Sequence, residues 1–306
     1  MTGAGKRPQL SVGIASFGTP TAGGWRGLLD LARAADDAGV HRLVLSDHVV
    51  LGPHTVDYPW GRFPTAADGD WLEPLTTIAA LAAVTERVRF LTGVLVAPLR
   101  PAALLAKTAA TIDVLSNGRL DLGVGTGWQR EEFDAVGLDF ERRGELLTRV
   151  IEGCRALWTG EPVGIDVGAG ERTEVWCNPV PVQAPLPVWF SGTVTPRNVD
   201  RIVRLGDGWI PIMGVTVDDL AKGSAHLRGA LADAGRDPST LAVRASAPIE
   251  RDAGGRADAA ATFALAPDLA AAGATDIQVA LRAFDPDGTD SAATLQRLVA
   301  AYEAAW

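Results

Sequence analysis

Strand-like and helix-like patterns alternate eight times along the chain, and this rhythm limits the folds open to it. "LSVGIASF" (10–17), "HRLVLS" (41–46), "RVRFLTGVLV" (87–96) and "RLDLGV" (119–124) read as the first four strands. "PVWFS" (187–191), "GWIPIM" (208–213), "LAVRAS" (241–246) and "TDIQVAL" (275–281) read as the last four. Between them lie helical patterns over 24–38, which ends at Gly39, and over 71–85, with Asp70 and Glu73 spaced as a capping box. Others cover 101–117, from Pro101 to Asn117-Gly118, and 141–158. The last four cover 195–205, 217–234, 257–272 and 289–305. Residues 160–185, rich in Gly, Pro and Val, break the rhythm and read as an insertion, with a hairpin as its simplest form. Eight strand–helix units in 306 residues predict an α/β fold, a (β/α)₈ TIM barrel. A doubly wound sheet shares the alternation but rarely needs eight units. No composition shift marks a boundary, so 1–306 is expected to be one domain.

In such a barrel, chemistry sits where strands end. Asp47-His48, Thr92-Gly93-Val94, Gly125-Thr126-Gly127 and Ser191-Gly192-Thr193 all lie at C-terminal strand ends. Asp207, in "LGDGW" (205–209), falls at the opposite rim and reads as a turn residue. His41 opens the second strand and His48 follows it, about 23 Å apart at roughly 3.3 Å per residue. They cannot share a metal, no ligand-spaced set surrounds them, and no metal site is expected. Either His48 is a structural histidine bonded to Asp47, or it works at the rim.

"GVGTGW" (123–128) fails the context of a dinucleotide fingerprint, since it follows the fourth strand and opens no long helix at once. Its glycines let backbone N–H groups approach an anion, or simply make a tight loop. Gly93 inside "TGVLVAP" implies a bulge, with a flat ligand against it or a packing gap beneath it. Of nine Trp, Trp60, Trp71 and Trp128 fall in loops at the catalytic rim and could wall a substrate pocket. No G-x-S-x-G, P-loop or H-E-x-x-H motif occurs, so hydrolase, NTPase and zincin chemistry lack support.

A net charge of -9 argues against nucleic-acid and anionic-membrane partners. Two cysteines, Cys154 and Cys177, make no disulfide framework. With no signal-like start in "MTGAGKRPQL" and no span-length apolar run, a reducing cytoplasm is the expected compartment.

Together, "LVLSDHVV" (43–50), the long block "RVRFLTGVLVAPLRPAALLAKTAATIDVLSNGRLDLGVGTGWQREEF" (87–133), "ERRGELLTRVIEGCRALWTGEPV" (141–163), "PVWFSG" and "LGDGW" resemble the bacterial luciferase-like superfamily. The Asp-His pair resembles its branch that binds the deazaflavin coenzyme F420, with FMN as the alternative cofactor. The resemblance implies an oxidoreductase, a small-molecule substrate and a homodimer. It also implies a cis Gly93–Val94 peptide backing the deazaflavin, Asp47 at the ring edge, and His48 between pyrimidine and substrate as the catalytic pair. Thr92, Gly125, Thr126 and Ser191 would border the cofactor, and amides around Gly127, Gly192 and Thr193 would hold its phosphate. The chain departs from F420-dependent glucose-6-phosphate dehydrogenases, which carry Glu where this chain has Trp128 and Trp where it has Gly52. That disfavours sugar phosphates and favours an apolar or aromatic substrate such as an enone or imine. An FMN monooxygenase and a cofactor-binding relative without turnover are the competing expectations.

Overall fold

Parallel pairing runs unbroken around a closed ring in the computed structural model, which describes residues 7–18, 23–55, 58–59, 61–168 and 171–306. The strands are β1 (Gln9–Gly13), β2 (Arg42–Leu45), β3 (Arg89–Thr92), β4 (Leu95–Val96), β5 (Leu120–Gly125), β6 (Val163–Gly168), β7 (Glu171–Val175), β8 (Val188–Ser191), β9 (Gly208–Ile210), β10 (Ala242–Ser246) and β11 (Asp276–Ala280). β3 pairs with β5 and β1 with β11, which closes the barrel; β4 continues the third stave beyond a break. Eight staves result, the (β/α)₈ arrangement expected from the alternation. β6 and β7 form an antiparallel hairpin outside the ring, inside the stretch expected to be an insertion.

The helices are α1 (Gly27–Ala38), α2 (Pro74–Ala82), α3 (Ala102–Leu115), α4 (Arg130–Ala135), α5 (Arg143–Leu157), α6 (Pro196–Leu205), α7 (Val217–Asp233), α8 (Ala259–Phe263), α9 (Ala266–Ala271), α10 (Leu281–Phe284) and α11 (Ser291–Ala304). α1 closes on Gly39 at φ 82°, a left-handed cap that suits glycine. The capping box expected at Asp70 is not made. Pro74 takes the first turn, its ring holds the preceding residue extended, and Glu73 becomes the cap by accepting from the Thr76 N–H at 2.6 Å. Asp70 instead accepts from the Trp25 indole at 2.8 Å. The helix expected over 257–272 is two, because Pro267 cannot continue a helix but can begin one. None of the helices is long and apolar enough to cross a membrane among the described residues.

Strands of a parallel barrel are covered on both faces, so alternation sorts residues between two interiors. Leu43, Leu45, Phe90, Leu122, Val188, Phe190, Val243 and Ile277 are buried under the helices, each contributing about 1.5–3 kcal/mol of apolar burial. The opposite faces fill the barrel in layers. At the bottom, Arg42 binds Asp121 at 2.8 Å and also Asp276, and Arg89 binds Asp121 at 2.6 Å. Above them Val44, Leu91, Trp189 and Ile210 make an apolar plug. The uppermost layer carries Gly93, Gly125, Ser191, Ser246 and Ala280, and the last two are exposed although they lie in strands. Small side chains at the C-terminal mouth leave a basin there.

Candidate active site

The third stave breaks at Gly93–Val94, whose peptide is cis. The break is tied to the end of β2: the Gly93 N–H donates to the Leu45 carbonyl at 2.6 Å, and the Val96 N–H donates to Asp47 Oδ2 at 2.8 Å. "SDH" therefore leaves its strand beside the bulge, and Asp47 and His48 part ways there.

Asp47 turns into the protein, with its carboxylate fully buried. Arg100 grips both of its oxygens, at 2.7 and 3.0 Å, and reaches on to Glu73 at 2.9 Å. Burial pulls the Arg100 guanidinium down, but Asp47 and Glu73 hold it above its ordinary value. The carboxylate expected at a ring edge thus fastens the β2 loop to the bulge.

His48 turns the other way, into aromatic rings. Trp71 meets it edge-on at 4.6 Å between centroids, Phe63 at 5.3 Å and Trp128 at 6.0 Å. Phe17 stacks on Trp71 at 4.2 Å, and Tyr58 meets both Phe63 and Trp128 at 5.3 Å. Two of the three tryptophans expected to wall a pocket do converge; Trp60 lies outside the described residues. Behind the imidazole sits Glu132, fully buried on α4, with Oε2 3.1 Å from His48 Nδ1 and Oε1 accepting from the Val49 N–H at 2.8 Å. The Nδ1–Oε2 approach is off line for a hydrogen bond, and neither atom has another partner among the described residues.

Sequence reasoning passed over Glu132. Its signal was faint, since either glutamate of "REEF" could have faced inward. Glu131 faces outward to His54, 2.6 Å away, and that contact holds its carboxyl below the usual range. Gly52 explains the geometry: a Cβ there would lie 2.5 Å from Glu131 Cδ, so a large side chain has no room while Glu131 stays in place.

The remaining residues fall into two groups. Thr92 is buried, its hydroxyl donated to the Gly123 carbonyl at 2.7 Å, and it ties staves together. Gly125 lets Val94 approach, since a Cβ would sit 2.7 Å from Val94 Cγ2. Gly127, at φ 75°, turns the chain under Val96, and Thr126 follows the strand half-buried. Ser191 ends β8 at the mouth. Gly192, expected to offer its amide to a phosphate, already donates it to the Ile210 carbonyl at 3.1 Å. Gly192 and the exposed Thr193 instead border a cavity of about 320 Å³ with Trp209, Met213 and Asp219, beside the N-terminus of α6, which Thr195 caps. Asp207, read from the sequence as a turn residue at the opposite rim, anchors that rim by binding Arg155 at 2.6 Å and accepting from the Val188 N–H at 2.9 Å. No group of three or more His, Cys, Asp or Glu among the described residues could hold a metal.

Packing leaves no room for a side chain at Gly93. A Cβ would fall 2.3 Å from Val44 Cγ1 and 2.9 Å from Arg244 Nη1, pointing into the barrel and not across the bulge. Gly93→Val is therefore expected to lower the melting temperature of the cofactor-free protein, by overpacking of about 1–3 kcal/mol. A variant that melts like the parent would show that the interior gives way at no cost.

A family model for "Luciferase-like monooxygenase" matches residues 10–301. An uncharacterized protein of Mycobacterium tuberculosis, Rv0953c, is 33% identical over 215 residues, covering 67% of this chain and 74% of that one. The F420-dependent hydroxymycolic acid dehydrogenase of the same organism is 30% identical over 217 residues, covering 70% of this chain and 56% of that one. Among solved structures, the monooxygenase RslO1 from Streptomyces bottropensis superposes with a TM-score of 0.76 at 21% identity, covering 97% of this chain and 99% of that one. With the family model spanning nearly every barrel element, the chain belongs to the luciferase-like monooxygenase family.

Proposed function

We propose that this chain is an F420-dependent oxidoreductase that moves a hydride between the deazaflavin C5 and a small apolar or aromatic substrate, such as an enone or imine. The observation that carries this reading is His48. It is buried at the barrel mouth, walled by Trp71, Phe63 and Trp128, and backed by the carboxylate of Glu132. The F420-dependent dehydrogenase among the relatives supports the choice of cofactor.

The residues suit a flat, polar-edged ring. The mouth is floored by small side chains, and Ser46 Oγ and Ser16 Oγ are buried there without hydrogen-bond partners among the described residues. Asp47, through Arg100 and the Val96 N–H, holds the bulge against which a ring would lie. Gly127 and Thr193 would take the cofactor's phosphate side. When bound, the deazaflavin supplies the hydride chemistry, and the chain supplies orientation and electrostatics. The aromatic walls exclude water. With Nδ1 set beside the Glu132 carboxylate, Nε2 is the atom at which His48 would pass a proton to the substrate heteroatom, or take one in the opposite direction.

The same fold serves a monooxygenase in RslO1, which makes monooxygenation the alternative reaction, with FMN, the other cofactor the sequence resemblance allows, in place of F420. Separate titrations with F420 and FMN, followed by fluorescence, decide between them. F420 is expected to bind at least tenfold tighter, about 1.4 kcal/mol; tighter FMN binding overturns the proposal.

A further inference from the structure

The bottom of the barrel spends its charges in pairs, with one exception. Arg42 and Arg89 are bonded to Asp121 and Asp276. Arg244, on β10, points inward at the next level, between Ala242 below and Ser246 above. It makes no ion pair with a described carboxylate, and its Nη1 is sealed from solvent without a hydrogen-bond partner among the described residues. The unbonded oxygens nearby, Asp276 Oδ1 and Gln278 Oε1, belong to the adjoining strand β11 and are likewise without partners. Three interior arginines thus face two interior aspartates, leaving one cation unmatched.

Arg244 is also placed to be reached. As a residue it is only half-buried, and the layer above it consists of Gly93, Gly125, Ser191, Ser246 and Ala280. Its Nη1 reaches across the barrel to 2.9 Å from where a Gly93 Cβ would stand, directly beneath the bulge. A guanidinium buried without a hydrogen-bonded counterion is costly unless something pairs with it. Burial pulls it down to about 10, against the opposing attraction of Asp276, so it keeps its charge at neutral pH. Apart from the Gln278 amide, the level is lined by the apolar Val44, Leu91, Trp189 and Ile210. A molecule pressed into the basin therefore meets an apolar half, one neutral amide and one cationic donor.

We infer that Arg244 is an anion-recognition residue at the barrel floor, binding a negatively charged oxygen of the molecule seated in the mouth. Two sources share that chemistry: a carboxylate or phenolate on the substrate, or the charged pyrimidine edge of the reduced cofactor. Only the second source rests on the F420 reading.

The test begins with the cofactor-free wild-type protein and two probes of one shape, benzoate and neutral benzamide, at fixed ionic strength. Benzoate is expected to bind at least tenfold tighter, read by calorimetry and as a rise in melting temperature. Equal affinities overturn the inference. In Arg244→Met the preference should vanish while the protein melts at or above the wild-type temperature, because a buried unpaired charge has been removed. Retained preference for benzoate overturns the inference. Should that variant fail to fold, Arg244→Lys replaces it: a tenfold loss of benzoate affinity with benzamide unchanged supports the assignment, and unchanged benzoate affinity overturns it. Repeating the wild-type titration with oxidised F420 present identifies the source. Benzoate that binds beside the cofactor marks a substrate oxygen; benzoate that is displaced marks the cofactor's own. The first arms need no cofactor, so a failure of the F420 reading would leave them standing.

Discussion

His48→Ala is expected to slow hydride transfer by about 10²–10⁴-fold, the usual contribution of a positioned acid–base group, while cofactor affinity changes much less. The imidazole is held edge-on to Trp71 and Phe63 with Nδ1 turned to Glu132, so its orientation is fixed before any substrate arrives. The cavity left by its removal lies among the half-buried Trp71 and Trp128, so the stability loss is expected to be smaller than the loss of rate. The measurement is single-turnover oxidation of bound reduced F420 with an enone or imine found by screening, alongside the melting temperature of the same preparation. Wild-type rates in the variant would remove His48 from the mechanism. Glu132 acts through His48 and is a positioning residue. Glu132→Gln keeps an acceptor for the Val49 N–H but loses the charge beside Nδ1. It should lower kcat with KM little changed, whereas a merely structural Glu132 would move the melting temperature and leave kcat per folded molecule intact.

The barrel was legible in the sequence because its strands and helices differ in period, and the ring closes where that alternation closes. The bulge was legible too, since a glycine inside an apolar strand demands a local reason. What Gly93 accommodates was not. Its absent Cβ faces Val44 and Arg244, a contact between the second, third and seventh staves that no local pattern encodes. Helix ends failed where proline chemistry outweighed spacing, as at Pro74 and Pro267. Adjacent residues also hide opposite fates. Asp47 and His48 are neighbours in sequence, yet one is spent on Arg100 and the other faces the rings; Glu131 and Glu132 divide in the same way. Arg244 did leave a trace, an arginine between two small residues in a strand that must be buried on both faces. Its missing counterion is visible only once the eight staves are brought together.

Asp47→Ala should unfold the mouth before it affects any ligand. The carboxylate is fully buried and receives three donors: both terminal nitrogens of Arg100 and the Val96 N–H just beyond the bulge. Its removal takes the two-point carboxylate partner from a largely buried guanidinium, which keeps only Glu73, and the acceptor from a buried backbone N–H, a loss of about 3–5 kcal/mol. For a chain of this size that corresponds to a melting temperature lower by on the order of 5–10 °C, read on the cofactor-free protein. Asp47→Asn, which keeps an oxygen for Val96 but not the charge, should fall between. In both variants Glu73 becomes the remaining carboxylate on Arg100. Burial pushes Glu73 upward, but the Thr76 N–H and Arg100 outweigh it and hold its carboxyl below the ordinary glutamate value. Its contribution is therefore complete above that ordinary value and is lost as pH falls through the lower, folded one. The variants should lose their residual stability in that same acid window. If Asp47 instead served only to meet a cofactor's edge, the cofactor-free variants would melt like the wild type, and the loss would appear in F420 affinity alone.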